Sequence, residues 1–126
     1  MTQKIITQTA IGRIYPALAR LSGAVLPAKK SFKIYMLTKK IKEMYDFAIE
    51  EEKKMIKECN GEISESGEIR FEDEDNFKKF QSLIEELHKV EVNLEFEPVE
   101  LSEKEVENLN ITASDIMILE DFVFFK

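Results

Sequence analysis

Apolar residues recur at steps of three and four from Ile34 through Leu37, Ile41, Met44 and Ala48 towards Met55, inside a stretch from Ala28 to Glu58 that holds neither Gly nor Pro. That spacing predicts a helix of about thirty residues, on the order of 45 Å long. Such a length exceeds the diameter of a small domain, so part of the helix is expected to protrude, bend or meet a partner. Both ends carry local signals. Pro27 suits the first helical position, where a missing N–H costs nothing, and Asn60-Gly61 tolerates a left-handed C-cap.

Upstream, Lys4-Ile5-Ile6-Thr7 is β-branched enough for a short strand. Thr9 is expected to cap a first helix whose inward positions are Ile11, Ile14, Leu18, Leu21 and Val25. Pro16 either kinks this helix near Gly12 to Tyr15 or marks where its regular part begins, because proline removes one backbone bond and crowds the preceding turn. Ser22-Gly23 ends it, and the short connection to Pro27 predicts an antiparallel helical hairpin over residues 10 to 58.

Downstream the chain turns polar. Ile63 and the segment Glu68 to Phe71, separated by Ser66-Gly67, read either as a small hairpin or as a strand preceded by a mobile loop. Asp73 or Asp75 offers an N-cap to a helix with Phe77, Phe80, Leu83, Ile84 and Leu87 on one face. Val90, Val92, Leu94 and Phe96 then alternate with Glu91, Asn93, Glu95 and Glu97, which predicts a strand with one buried and one wet face, ended or kinked by Pro98. Ser102 to Glu105 forms a capping box before Val106 and Leu109, and Thr112 to Asp115 forms another before a last helix through Ile116, Leu119 and Val123. The pattern as a whole predicts one α+β domain over residues 1–126, mostly α: an N-terminal helical hairpin with one long helix, a small sheet and short C-terminal helices. If Glu68 to Phe71 and Val90 to Phe96 are neighbours in that sheet, the single crossover makes them parallel and right-handed.

Composition narrows the function classes. The chain has 126 residues and 44% hydrophobic content, enough for one modest core. A single Cys, Cys59, excludes an internal disulfide and suits a reducing compartment. Apolar runs of four or five residues are too short to span a bilayer, so no membrane role is expected. The net charge of −7 is unevenly spread: residues 1–42 hold nine Lys or Arg and no acid, while residues 43–126 hold all 25 acids. The favoured reading is that the two halves neutralise each other in the fold, ahead of a basic surface for an anionic partner. The acid-free start has the composition of a transit peptide, yet its apolar pattern continues into the long helix and is read as part of the fold.

Ile14-Tyr15-Pro16-Ala17-Leu18, then Leu26-Pro27 through Ile34, then Ile69 to Asp73, the Phe77 to Leu87 helix, the Glu-alternating strand and Leu101-Ser102 before Asp115-Ile116 form an ordered series. Spanning most of the chain, that series resembles a family of short bacteriophage-encoded proteins to which no activity is assigned. The resemblance implies a phage or prophage origin and a site of action in the host bacterial cytoplasm or the virion. It carries no catalytic residue.

Candidate chemistry is sparse. His88 is the only histidine, so no paired-His metal motif exists, and near a helix end it is expected to serve the terminus or face solvent. Cys59, beside Lys57 but also Glu58 and Glu62, reads as an inert thiol; a Cys59/His88 nucleophile pair would need the fold to bring them together. The run Glu72 to Asp75 fails as an EF-hand, since the sixth position counted from Asp73 is Lys78 and the twelfth is Ile84. No phosphate loop, nucleophile elbow or dinucleotide fingerprint is present. No enzyme, cofactor or metal is therefore expected.

The strongest ligand signal is the basic run Lys29, Lys30, Lys33, Lys39, Lys40 and Lys42, with Lys29, Lys33 and Lys40 near one another on a helix and Phe32 or Tyr35 available to stack beside them. The apolar end Phe122 to Phe125 must dock on this chain or on another. Candidate partner-binding residues are therefore Lys29, Lys33, Lys40, Phe122, Phe124 and Phe125. The expected function is a non-enzymatic phage-encoded interaction protein, as a virion or assembly accessory or a small modulator of a host factor, with self-association expected as a homo-oligomer. Alternatives are a nucleic-acid-associated protein using the basic face and a binder of a small anionic ligand at an oligomer interface.

Overall fold

The computed structural model describes residues 2–107 and 109–126. Strand β1 (Thr2–Thr7) leads directly into helix α1 (Gln8–Leu21), and helix α2 (Ala28–Glu58) returns antiparallel to it. A hairpin of β2 (Gly61–Ile63) and β3 (Ile69–Phe71) precedes helix α3 (Glu74–Lys89) and strand β4 (Glu91–Phe96). The chain ends with β5 (Val99–Leu101), α4 (Glu103–Val106), α5 (Ala113–Leu119) and β6 (Val123–Phe125). This is an α+β architecture, mostly helical.

Helix α2 is 31 residues long because nothing within it breaks a helix, and Asn60 adopts the left-handed conformation at its end with φ 55°. Pro27 sits one position earlier than expected, as the N-cap. Gly61 is required by packing, since a Cβ there would lie 2.6 Å from the Phe71 ring and 2.9 Å from Ile56. The expected overhang does not exist. The first half of α2 contributes Ile34, Leu37 and Ile41 to the main core, and the second half carries Ile56 and Cys59 into a separate small core with Phe80, Ile69, Phe71 and Leu83. One long helix thus spans two cores, which is how a small chain covers it.

In the main core, Ile11, Ile14, Leu18 and Leu21 of α1 meet α2, Leu94 and Phe96 of β4, Val99 and Leu101 of β5, and Leu119, Phe122 and Val123. Several local expectations need correction. Thr7, not Thr9, caps α1, accepting from the Ala10 N–H at 3.2 Å, because β1 holds Thr7 in extended geometry right up to the helix. Thr9 instead donates to the His88 carbonyl. Pro16 lies inside α1 and does not mark its start: the carbonyl it leaves unpaired is that of Gly12, on the exposed side where water can reach it. Val25 lies beyond the helix and is exposed. Val123 belongs to β6 rather than to the last helix.

The sheets also differ from expectation. β3 and β4 are not neighbours: β3 pairs antiparallel with β2, and β4 pairs antiparallel with β1 from Thr2↔Phe96 to Thr7↔Glu91. A tight turn closes the β2–β3 hairpin at small entropic cost, helped by Gly67 at φ 86°. β1 offers β4 a six-residue register that buries Ile6 beside the inward face of Leu94 and Phe96. The parallel pair is instead β5–β6, joined through α4 and α5.

Both C-terminal capping boxes form, at Ser102/Glu105 and Thr112/Asp115. Asp115 is only 2% exposed and is held by the guanidinium of Arg20, with Nε donating to Oδ2 at 2.8 Å, tying α5 to α1. The Arg20 hydrogen bond holds the Asp115 carboxyl below its ordinary value, assisted by the Thr112 N–H and opposed by burial. A lowered carboxyl pKa contributes stability above the unfolded value of about 3.9, lost as pH falls through the folded one. Denaturant unfolding at a series of pH values should therefore show Asp115→Asn less stable than wild type at neutral pH, with the gap closing below about pH 4.

Candidate functional site

The first half of α2 turns Ile34, Leu37 and Ile41 inward, so the residues between them face out. Phe32, Tyr35 and Met36 are 61%, 57% and 38% exposed, although each is large and apolar. The Phe32 and Tyr35 rings lie 6.4 Å apart between centroids, and Met36 follows Phe32 by one helical turn. Two grooves flank this face. On one side an apolar groove of about 400 Å³ runs between α2 and the α1–α2 connection, floored by Leu21, Leu26 and Ile34 and rimmed by Tyr35, Lys39 and Lys42. On the other side a groove of about 150 Å³ lies between Phe32, Met36 and Phe96, rimmed by Lys33, Lys40 and Glu97.

The basic residues divide by their position around the helix. Lys40 donates to the Glu95 carbonyl at 2.7 Å, Lys33 lies 3.8 Å from Glu97, and Lys30 pairs with Glu105 at 2.8 Å. Lys4 pairs with Asp121, and Lys42 with its helix neighbour Asp46. The acid-free start of the chain is therefore partly neutralised by its acidic remainder, as its charge distribution suggested. Lys29 and Lys39 enter no ion pair among the described residues, and both are exposed. Lys29, Lys33 and Lys40 accordingly do not form one free cationic cluster: two of them brace α2 against β4 and its Pro98 turn.

The C-terminal candidates separate in the same way. Phe122 is buried in the main core with its ring 4.8 Å from that of Phe96, so it is not available to a partner. Phe125 is half-buried in β6, and Phe124, on the opposite side of that strand, is exposed. The apolar end of the chain thus docks on its own β5, which removes both it and the helix overhang as reasons to expect self-association. Cys59 is fully enclosed in the smaller core, whereas His88 is exposed at the end of α3.

Phe32 and Tyr35 stood in the sequence as aromatic neighbours of the lysines. Their prominence had a readable signal: they are large apolar residues lying off the Ile34/Leu37/Ile41 stripe. Among the described residues, no helix is long and apolar enough to cross a membrane. Comparison with protein-family models, curated proteins and solved structures gives no match for this chain.

Proposed function

We propose that the protein is a non-enzymatic interaction protein whose contact surface is the outward face of the first half of α2, and that it captures an acidic, amphipathic segment of a protein partner. The observation that carries this reading is the grouping of Phe32, Tyr35 and Met36 on one exposed face between two lysine-rimmed grooves. Contiguous exposed apolar surface marks contacts, and aromatic and Met side chains are enriched in them. The apolar floor beside Tyr35 suits a partner's aliphatic or aromatic anchors. Lys29 and Lys39, outside the intramolecular ion pairs, favour acidic residues around those anchors and speed their encounter. The resemblance to phage-encoded proteins supports a setting in the bacterial cytoplasm or the virion, as an assembly accessory or a modulator of a host factor.

A nucleic-acid role is the second reading, favoured by Phe32 and Tyr35 as stacking platforms beside Lys29 and Lys39. It is weaker because Lys33 and Lys40 are engaged with β4 and the segment after it, and the whole chain carries −7.

The test uses a synthetic acidic helical peptide with Leu on one face and Glu on the other. Micromolar binding is expected, weakening with salt, and weakened at least about tenfold by Phe32→Ser/Tyr35→Ser and by Lys29→Glu/Lys39→Glu while melting temperatures hold. Peptide binding indifferent to both double variants would refute the reading. Salt-sensitive binding of duplex DNA, lost in the Lys variant, would instead favour the nucleic-acid role.

A further inference from the structure

Strand β1 pairs with β4 alone, so among the described residues one edge of each strand has no neighbouring strand. The Gln8 N–H donates to the Val90 carbonyl at 3.1 Å, and alternation along the strand then turns the backbone groups of Ile6 and Lys4 towards β4 as well. Those of Gln3 and Ile5 turn away. The outer edge of β4 is partly closed by α2, whose Lys40 donates to the Glu95 carbonyl. On β1, among the described residues, neither Gln3 nor Ile5 has its backbone bonded to a loop, turn or helix, and the Ile5 side chain is 64% exposed. Free edges are commonly guarded by proline, a bulge or an unpaired charge. β1 contains no proline, its register is unbroken, and Lys4 is committed to Asp121.

Beside this edge, between β1, α1 and α5, lies a groove of about 300 Å³ floored by Ile6, Ile14 and Phe122 and rimmed by Arg13 and Met117. β4 contributes nothing to its lining, so the groove opens on the side of β1 where a third strand would lie. Met117 is 70% exposed although apolar. Arg13 is exposed and enters no ion pair among the described residues. Cross-strand neighbours share a face, so residues of an added strand opposite Lys4 and Ile6 would lie over the groove, and a residue opposite Ile5 would cover its exposed side chain.

We propose that the free edge of β1 takes up an extended segment of another protein as a third strand, bonded to the backbone of Gln3 and Ile5, with alternate apolar side chains in the groove and an acidic residue on Arg13. In strand addition of this kind, main-chain hydrogen bonds supply affinity and pockets for alternate side chains supply selection. Charge decides the occupant. A second copy adding its own β1 has no carboxylate to offer Arg13, because Thr2 to Thr7 holds no acid. The surface shares no residue with the outward face of α2 and stands independently of the function proposed above.

The test is a titration of the ¹⁵N-labelled full chain with a short capped peptide of alternating Val and Thr flanked by Glu. Saturable shifts of the Gln3, Ile5 and Arg13 amides are expected at millimolar concentration or below. Of two versions of the peptide, N-methylated at the Val or at the Thr positions, one should lose binding and the other keep it, because only alternate amides face β1. Ile5→Pro removes an N–H that the β1–β4 pair does not use, so it should abolish binding while the melting temperature holds. If that variant unsettles the strand, the exposed Arg13→Glu carries the test, with binding weakened at least about tenfold by the loss of one charge-assisted contact. Binding unchanged in Arg13→Glu, or an equal response to the two methylated peptides, would overturn the assignment. So would light scattering that shows a dimer dissolved by Ile5→Pro, because a second copy would then hold the edge.

Discussion

Phe122→Ala should destabilise the protein by about 3–5 kcal/mol, the range for truncating a fully buried aromatic ring. The ring packs at a tilt against that of Phe96 of β4, while the backbone N–H of Phe122 donates to the Leu119 carbonyl and its backbone carbonyl receives the Val99 N–H beside the β5–β6 pair. Truncation leaves a cavity beside Leu94 and Val123 and loosens a parallel strand pair only three residues long on each side. Denaturant unfolding followed by circular dichroism measures the loss. Phe124→Ala, two residues away on the solvent side, should change stability by less than about 1 kcal/mol. Equal effects at the two positions would mean that the C-terminal strand is turned over.

Ile41→Ala is the second large effect, at about 2–5 kcal/mol. Ile41 is completely buried at the centre of the α2 stripe, between Ile34 and Leu37 on one side and the partly buried Met44 on the other. Tyr35→Ala, on the opposite face of the same helix, should cost less than about 0.5 kcal/mol. The contrast separates the face that holds the fold from the face assigned to a partner. Comparable losses would place Tyr35 in the core and remove the contact surface altogether.

What could be read from the chain alone follows the range of the interactions involved. Helix α2, helix α3 with its Asp73 cap, and the Ser102 and Thr112 boxes depend on residues within a turn or two of one another, and all form as their spacing predicts. The alternation of Val92, Leu94 and Phe96 with Glu91, Asn93 and Glu95 likewise marked the inward face of β4, although Val90, expected on the same buried face, precedes the strand as the C-cap of α3 and is exposed. Strand pairing is a choice among distant segments. Nothing near β4 reveals that β1, more than eighty residues earlier, covers it in preference to β3. The same limit hid the role of Phe122, since an apolar chain end looks alike whether it packs inward or waits for a partner. At the candidate surface, the lysines were visible but their engagement was not: Lys33 and Lys40 find Glu97 and the Glu95 carbonyl only once β4 lies alongside α2.

The contact surface is tested most directly by following the backbone amide signals of the ¹⁵N-labelled protein during titration with the acidic helical peptide. Shifts confined to Lys29 through Lys40 and to the connection from Ser22 to Leu26 are expected, with Ile63, Phe71 and Phe77 at the far end of α2 unmoved. Shifts centred instead on the β2–β3 hairpin, or none at peptide concentrations that saturate other acidic-helix receptors, would contradict the assignment of the outward face of α2.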